Sequence, residues 1–168
     1  MGKEADMTAT PTVELTPRFA DGDPMRVIGL AERYDEARIA GISEQWERLQ
    51  QMLGEAKGRT DPAQFGLFYR LRESPFEFEY LTGVMVAEDA PVPVGFVERR
   101  LPARRHAVFT HRGHVAGLRT LVDAIFREWL PRSGHAAGGY PDFVEVYGKD
   151  FDPARLAGAI EVWVPLKD

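Results

Sequence analysis

The segment Phe143-Val144-Glu145-Val146-Tyr147 decides the fold class. Strand side chains alternate between two faces, so Val144 and Val146 point one way and Phe143, Glu145 and Tyr147 the other. Ile160-Glu161-Val162-Trp163-Val164 repeats the arrangement, with Glu161 and Trp163 on one face and the aliphatic residues on the other. The spacing predicts closing strands over 143–147 and 160–166, with Asp152-Pro153 opening a short helical turn between them. Working back, Val115, Leu118, Leu121, Val122, Ile125, Phe126, Trp129 and Leu130 form an apolar stripe. That stripe predicts a helix over His114 to Leu130, stopped by Pro131 and followed by a loop over 134–141. Strands are expected over 96–101 and 106–111, joined by Pro102-Ala103-Arg104-Arg105. Ala90-Pro91-Val92-Pro93 reads as a stiff linker before them.

The chain before the linker has the same shape. Strands are expected over 13–19 and 25–34, with the turn Asp21-Gly22-Asp23-Pro24 between them. Ile42, Trp46, Leu49 and Leu53 then share one face of a helix, with Ser43, Glu44, Gln45, Glu47, Arg48, Gln50 and Gln51 on the other. Gly54 and Gly58 end it, and Asp61-Pro62 is expected to turn. Strands follow over 65–70 and 76–87, where Phe76, Phe78 and Tyr80 alternate with Glu77 and Glu79. Each half therefore runs strand, strand, helix, strand, strand. The expected fold is α+β: pseudo-twofold duplicated strand-helix-strand-strand modules, at about residues 13–90 and 94–168, after a disordered segment over 1–12. The modules make a curved antiparallel sheet with two main helices on one side. A central ligand cleft is expected at the seam, where small-molecule sites are favoured.

Composition narrows the chemistry. The 168 residues are 44% hydrophobic and 28% charged, which excludes a wholly disordered chain. There is no cysteine, so disulfides, thiolate metal sites and thiol nucleophiles are excluded. Net charge −5 lacks the footprint of a general nucleic-acid binder, and no direct DNA binding is expected. No run of apolar residues is long enough to span a membrane, and the first residues carry neither a secretory signal nor the myristoylation pattern. The expected location is cytoplasmic.

A carboxylate between two aromatic residues suits a lipophilic cation, with rings for its body and a counter-charge for its centre. Glu145 between Phe143 and Tyr147 fits, and Glu161 beside Trp163 fits equally well. Met85 reads as core packing or a soft cleft wall. The spacing of His106, His111 and His114 does not bring three imidazoles to one point, and no metal or other cofactor is expected. Glu98-Arg99-Arg100 with Arg104-Arg105 reads as a charged strand edge. None of Ser43, Ser74 and Ser133 sits in Gly-x-Ser-x-Gly, and no phosphate loop or dinucleotide fingerprint occurs. Carboxylates remain as general bases.

Several segments together resemble a known family. They are Tyr80-Leu81-Thr82-Gly83-Val84, Leu101-Pro102-Ala103 leading into 107–113, and Glu128-Trp129-Leu130-Pro131 with Ser133-Gly134. Pro141 to Tyr147 and Ile160 to Lys167 complete the set. Their order is similar to that of the GyrI-like small-molecule-binding domain, also found as the effector-binding half of AraC-type and MerR-type multidrug-sensing regulators. The resemblance covers about residues 13–167. It implies a duplicated fold around a central cleft, and its ligand-reading acid matches Glu145 rather than Glu161. Phe65, Tyr147 and Leu118 match cleft-lining positions. Tyr80, Trp129 and Trp163 join them on side-chain character, and Phe143 through the alternation that puts it on the Glu145 face. Met85 stands where relatives often carry an acid, and His106 where an aromatic is common. No helix-turn-helix flanks the domain, so a stand-alone binder of amphipathic, cationic or aromatic small molecules is expected. The resemblance also implies two alternatives. One is a hydrolase of strained cyclopropanoid electrophiles with Glu145 as catalytic base; the other is a protein-interaction role modulating gyrase. A homodimer or another protein partner is compatible with each.

Overall fold

The computed structural model describes residues 15–167, so the expected segment over 1–12 and the start of the first strand lie outside it. The first half contains β1 (Arg18–Gly22), β2 (Met25–Tyr34), α1 (Ile42–Met52), β3 (Arg59–Arg70) and β4 (Phe78–Val86). The second contains β5 (Val97–Leu101), β6 (Arg104–His114), α2 (Leu118–Ala124), α3 (Leu130–Ser133), β7 (Phe143–Asp152) and β8 (Ala157–Pro165). The strands form one curled antiparallel sheet in the order β1-β6-β8-β7-β3-β4-β2-β5. The trios β6-β8-β7 and β3-β4-β2 are the duplicated units, and β3 pairs with β7 where they meet. The first strand of each half edges the opposite unit: β1 pairs with β6, and β5 with β2.

Register separates the two faces. Ile28, Val84, Gln64, Tyr147 and Ile160 lie in one row across the sheet. This is the face that carries both helices. Leu49 of α1 packs with Ile28, Leu30, Val84 and Val86, while Leu118, Leu121 and Ile125 pack with Phe109, Phe143, Ile160 and Val162. The opposite face holds a separate core of Val27, Phe65, Leu67, Leu81, Leu101 and Val144, enclosed by the curl of the sheet.

Several local expectations are corrected. The second helix does not begin at His114. That residue ends β6, and its Nδ1 accepts a hydrogen bond from the Ala116 amide at 3.0 Å, capping the 3-10 turn Val115–Gly117. Pro131 does not stop the helix either. A π turn over Ile125–Trp129 widens the backbone just before the residue that has no N–H to give. The helix ends after Ser133, where Gly134 takes φ 80°, a left-handed conformation that glycine adopts without strain. Asp61-Pro62 lies inside β3, where the register to β4 shifts between Arg59 and Gln64, and Asp61 Oδ1 accepts from the Ala63 amide at 2.8 Å. Proline removes a ladder donor and is tolerated at such bulges. Phe76 falls outside β4 and is 88% exposed, so the alternation there overstates the strand. Gln45, expected on the wet face of α1, is fully buried.

The arginine-rich stretch is paired along the edges: Arg99 with Glu79 at 2.6 Å, Arg100 with Glu88 at 2.5 Å and Arg105 with Asp21 at 3.3 Å. On β2, buried Arg26 ties the linker to the sheet. Its Nη1 donates to the Ala87 and Ala90 carbonyls, each at 2.7 Å, and its Nε to Glu98 at 2.5 Å. Arg26→Met leaves both carbonyls without this donor. It is expected to lower unfolding free energy by about 2–3 kcal/mol in a urea titration.

Candidate functional site

The β3–β7 seam sets Gly66 opposite Glu145, with Gln64 opposite Tyr147 and Phe68 opposite Phe143 on the same helix-bearing face. The Glu145 side chain therefore rises from the sheet between the duplicated units. It is 9% exposed. Its Oε1 accepts from the Tyr80 hydroxyl at 2.5 Å and from the Tyr147 hydroxyl at 2.8 Å. Among the described residues no donor reaches Oε2 and no basic side chain pairs with the carboxylate. Burial pushes the Glu145 carboxyl above its ordinary range, against the pull of the tyrosine hydrogen bonds. Burial, reinforced by Glu145, drives both tyrosines well above the usual phenol range, so they remain protonated donors.

Two features make this arrangement possible. A Cβ at Gly66 would run into the Tyr80 hydroxyl and stand 2.8 Å from Glu145 Oε1, so only glycine leaves room for that hydrogen bond. Trp46 of α1 covers the group, its ring centroid 6.2 Å from Tyr80 and 5.0 Å from Tyr147, edge-on to both. Gly66→Ala is expected to push the Tyr80 hydroxyl off Glu145 and cost about 1–3 kcal/mol of stability, read by thermal or urea unfolding.

The other sequence-predicted site residues divide between the two faces. Phe143 shares the Glu145 face and stacks on Phe68 with centroids 4.7 Å apart. Leu118 lies in the same core cluster as Phe143. Trp129 sits farther along that cluster, edge-on to Phe109 at 5.1 Å and parallel to His135 at 6.0 Å. Phe65 and Trp163 occupy the opposite face, 6.5 Å apart, and Met85 packs against that same core. Glu161 is there too, with both oxygens engaged: Trp163 Nε1 donates to one at 3.0 Å and Arg18 to the other at 2.9 Å. His106 packs on Trp163 at 5.6 Å. The structure thus brings Tyr80 and Tyr147 to Glu145 and separates Phe65 and Trp163 from it by the thickness of the sheet. Sequence reasoning does not single out Trp46 or Gly66 as site residues. The usable signal was Gly66, a glycine inside an otherwise regular strand.

The sequence model of the GyrI-like small molecule binding domain matches residues 15–167. The chain belongs to the GyrI-like family. Its relatives include transcriptional regulator BrlR of Pseudomonas aeruginosa, 29% identical over 151 residues, an overlap covering 89% of this chain and 54% of that protein. The chain thus spans about half the length of this curated relative. Among solved structures, SAV2435 bound to tetraphenylphosphonium superposes with TM-score 0.69 at 16% identity, covering 91% of this chain and 94% of that one. A hydrolase from Listeria innocua gives TM-score 0.57 at 12% identity, each chain 98% covered. These structural likenesses show that the chain shares its fold with SAV2435 and with the Listeria innocua hydrolase. Among the described residues no helix is long and apolar enough to cross a membrane.

Proposed function

We propose that this GyrI-like domain captures amphipathic, cationic small molecules at Glu145, beneath Trp46 and beside Tyr80 and Tyr147. The observation that carries the reading is a carboxylate buried among aromatic rings, with both tyrosine hydroxyls on one oxygen and no internal cation among the described residues. Buried carboxylates are costly unless paired. A lipophilic cation supplies the missing partner, and Trp46, Tyr80 and Tyr147 supply faces for its apolar body. The ligand in the SAV2435 structure, a bulky aromatic cation, is of this chemical kind.

The test compares tetraphenylphosphonium with neutral triphenylphosphine oxide by calorimetric titration. The cation should bind at least about tenfold tighter, as expected of a charge pair in a partly desolvated site. Equal affinity for the neutral compound would remove Glu145 as the reader of charge.

The hydrolase of similar fold from Listeria innocua supports a second reading, in which Glu145 activates water against a strained cyclopropanoid electrophile. Binding is favoured over it for a geometric reason. The hydroxyls that would polarise a substrate carbonyl both donate to Glu145 itself. Loss of a cyclopropenone probe, faster with the protein than without it and abolished by Glu145→Gln, would establish the catalytic reading instead.

A further inference from the structure

Apolar contact is enough to seat a helix on a sheet, and Leu49 of α1 supplies it here. Gln45, on the same helix face, is also fully buried but binds by hydrogen bonds. Its Nε2 donates to the Leu30 carbonyl at 2.8 Å and the Tyr80 carbonyl at 2.9 Å, with Thr82 Oγ1 at 3.4 Å. Its Oε1 accepts from the Tyr34 hydroxyl at 2.5 Å. A buried carboxamide with these bonds has one low-energy placement, whereas an aliphatic side chain tolerates sliding. One of its anchors is the main chain of Tyr80, whose hydroxyl ends 2.5 Å from Glu145. The next residue on the helix is Trp46, which covers Tyr80 and Tyr147. The tyrosine ring is rigid, so a shift of its main chain is carried to its hydroxyl, and hydrogen bonds weaken steeply as their geometry degrades.

We propose that Gln45 is a positioning residue of the Glu145 site, fixing the Tyr80 main chain against α1 so that the Tyr80 hydroxyl reaches the carboxylate. The proposal rests on the reading of Glu145 as the ligand-binding group and deepens it. Each hydroxyl hydrogen bond stabilises the ionised carboxylate, so Gln45 acts at one remove on the protonation of Glu145. The polar groups facing Glu145 are Tyr80 from β4 and Tyr147 from β7, while α1 presents Trp46 and β8 presents Val162. Around Gln45 and its partner Tyr34 the charged groups are Glu32, Glu44, Arg38 and Arg48.

The test is a ligand-free NMR pH titration that follows glutamate side-chain carboxyls and glutamine side-chain amides. In the wild type the Gln45 amide should shift with the midpoint of the Glu145 carboxyl, and Glu145→Gln should abolish that shift. Gln45→Met should raise the Glu145 midpoint by up to about one pH unit, in the direction of Tyr80→Phe. The two substitutions should not add, because they remove the same bond. Tyr34→Phe, which spares the bonds from Nε2, should lower stability and leave the midpoint in place. A destabilised Gln45→Met protein with an unmoved Glu145 midpoint overturns the proposal. If that variant does not fold, the wild type decides: a Gln45 amide blind to the Glu145 titration overturns it. No ligand enters the titration, so failure of tetraphenylphosphonium to bind would count against the proposed function and leave this test intact.

Discussion

Replacing Glu145 with glutamine is expected to cut the affinity for tetraphenylphosphonium by about two to three decades, ~2–5 kcal/mol, the usual loss when one member of a desolvated charge pair is removed. The substitution keeps the shape of the side chain and an oxygen that can accept from Tyr80 and Tyr147. It therefore removes charge while leaving the aromatic surroundings in place. Glu161→Gln is the control, because Glu161 lies on the other face and is bonded to Trp163 and Arg18. It should leave the affinity within about threefold of wild type, as expected for a site across the sheet that shares no partner with the first. A larger loss at Glu161 than at Glu145 would move the binding site to the opposite face.

The second large effect is a pair of opposite pH responses. Burial raises the folded-state pKa of Glu145 above its unfolded value. The folded protein then binds more protons than the unfolded chain between those values, so the Glu145 contribution to stability falls as pH rises through that window. Below the unfolded value the penalty is absent; above the folded value it is fully present. Ligand capture runs the other way, since only the ionised carboxylate attracts the cation. Tetraphenylphosphonium carries a charge that does not titrate, so pH dependence of its affinity belongs to the protein. Its affinity should fall about tenfold per pH unit below the Glu145 midpoint. Glu145→Gln should flatten the affinity profile and remove the matching component from the stability profile, read by urea unfolding across the same pH range. Affinity and stability rising together with pH, through a transition that Glu145→Gln abolishes, would contradict the assignment.

The fold was legible because its signals are local. Alternation over 143–147 and 160–164 and the apolar stripe of the second helix depend only on side-chain period, and β2 matches its expected span of Met25–Tyr34. The exchange of β1 and β5 between the units was not legible, because nothing within a short strand states which distant edge it pairs with. Pro131 misled for a related reason: a π turn accommodates the ring, and that turn depends on packing rather than on neighbouring residues. In the site, alternation placed Glu145 and Tyr147 on one face, and the family resemblance pointed to Glu145 over Glu161. Phe65 and Trp163 illustrate the limit. Each is aromatic and near the seam in register, yet their strand parity relative to Gly66 and Val162 sends them to the other side. Gln45 shows the converse, since a polar residue reads as solvated until a second element supplies partners for its carboxamide.

The most direct test of the central claim is a crystal structure of the protein with tetraphenylphosphonium. The phosphonium should lie on the helix-bearing face, with its phosphorus nearest the Glu145 carboxylate and its phenyl rings against Trp46, Tyr80 and Tyr147. A phosphonium seated instead against Trp163 and Glu161 on the opposite face would contradict the account.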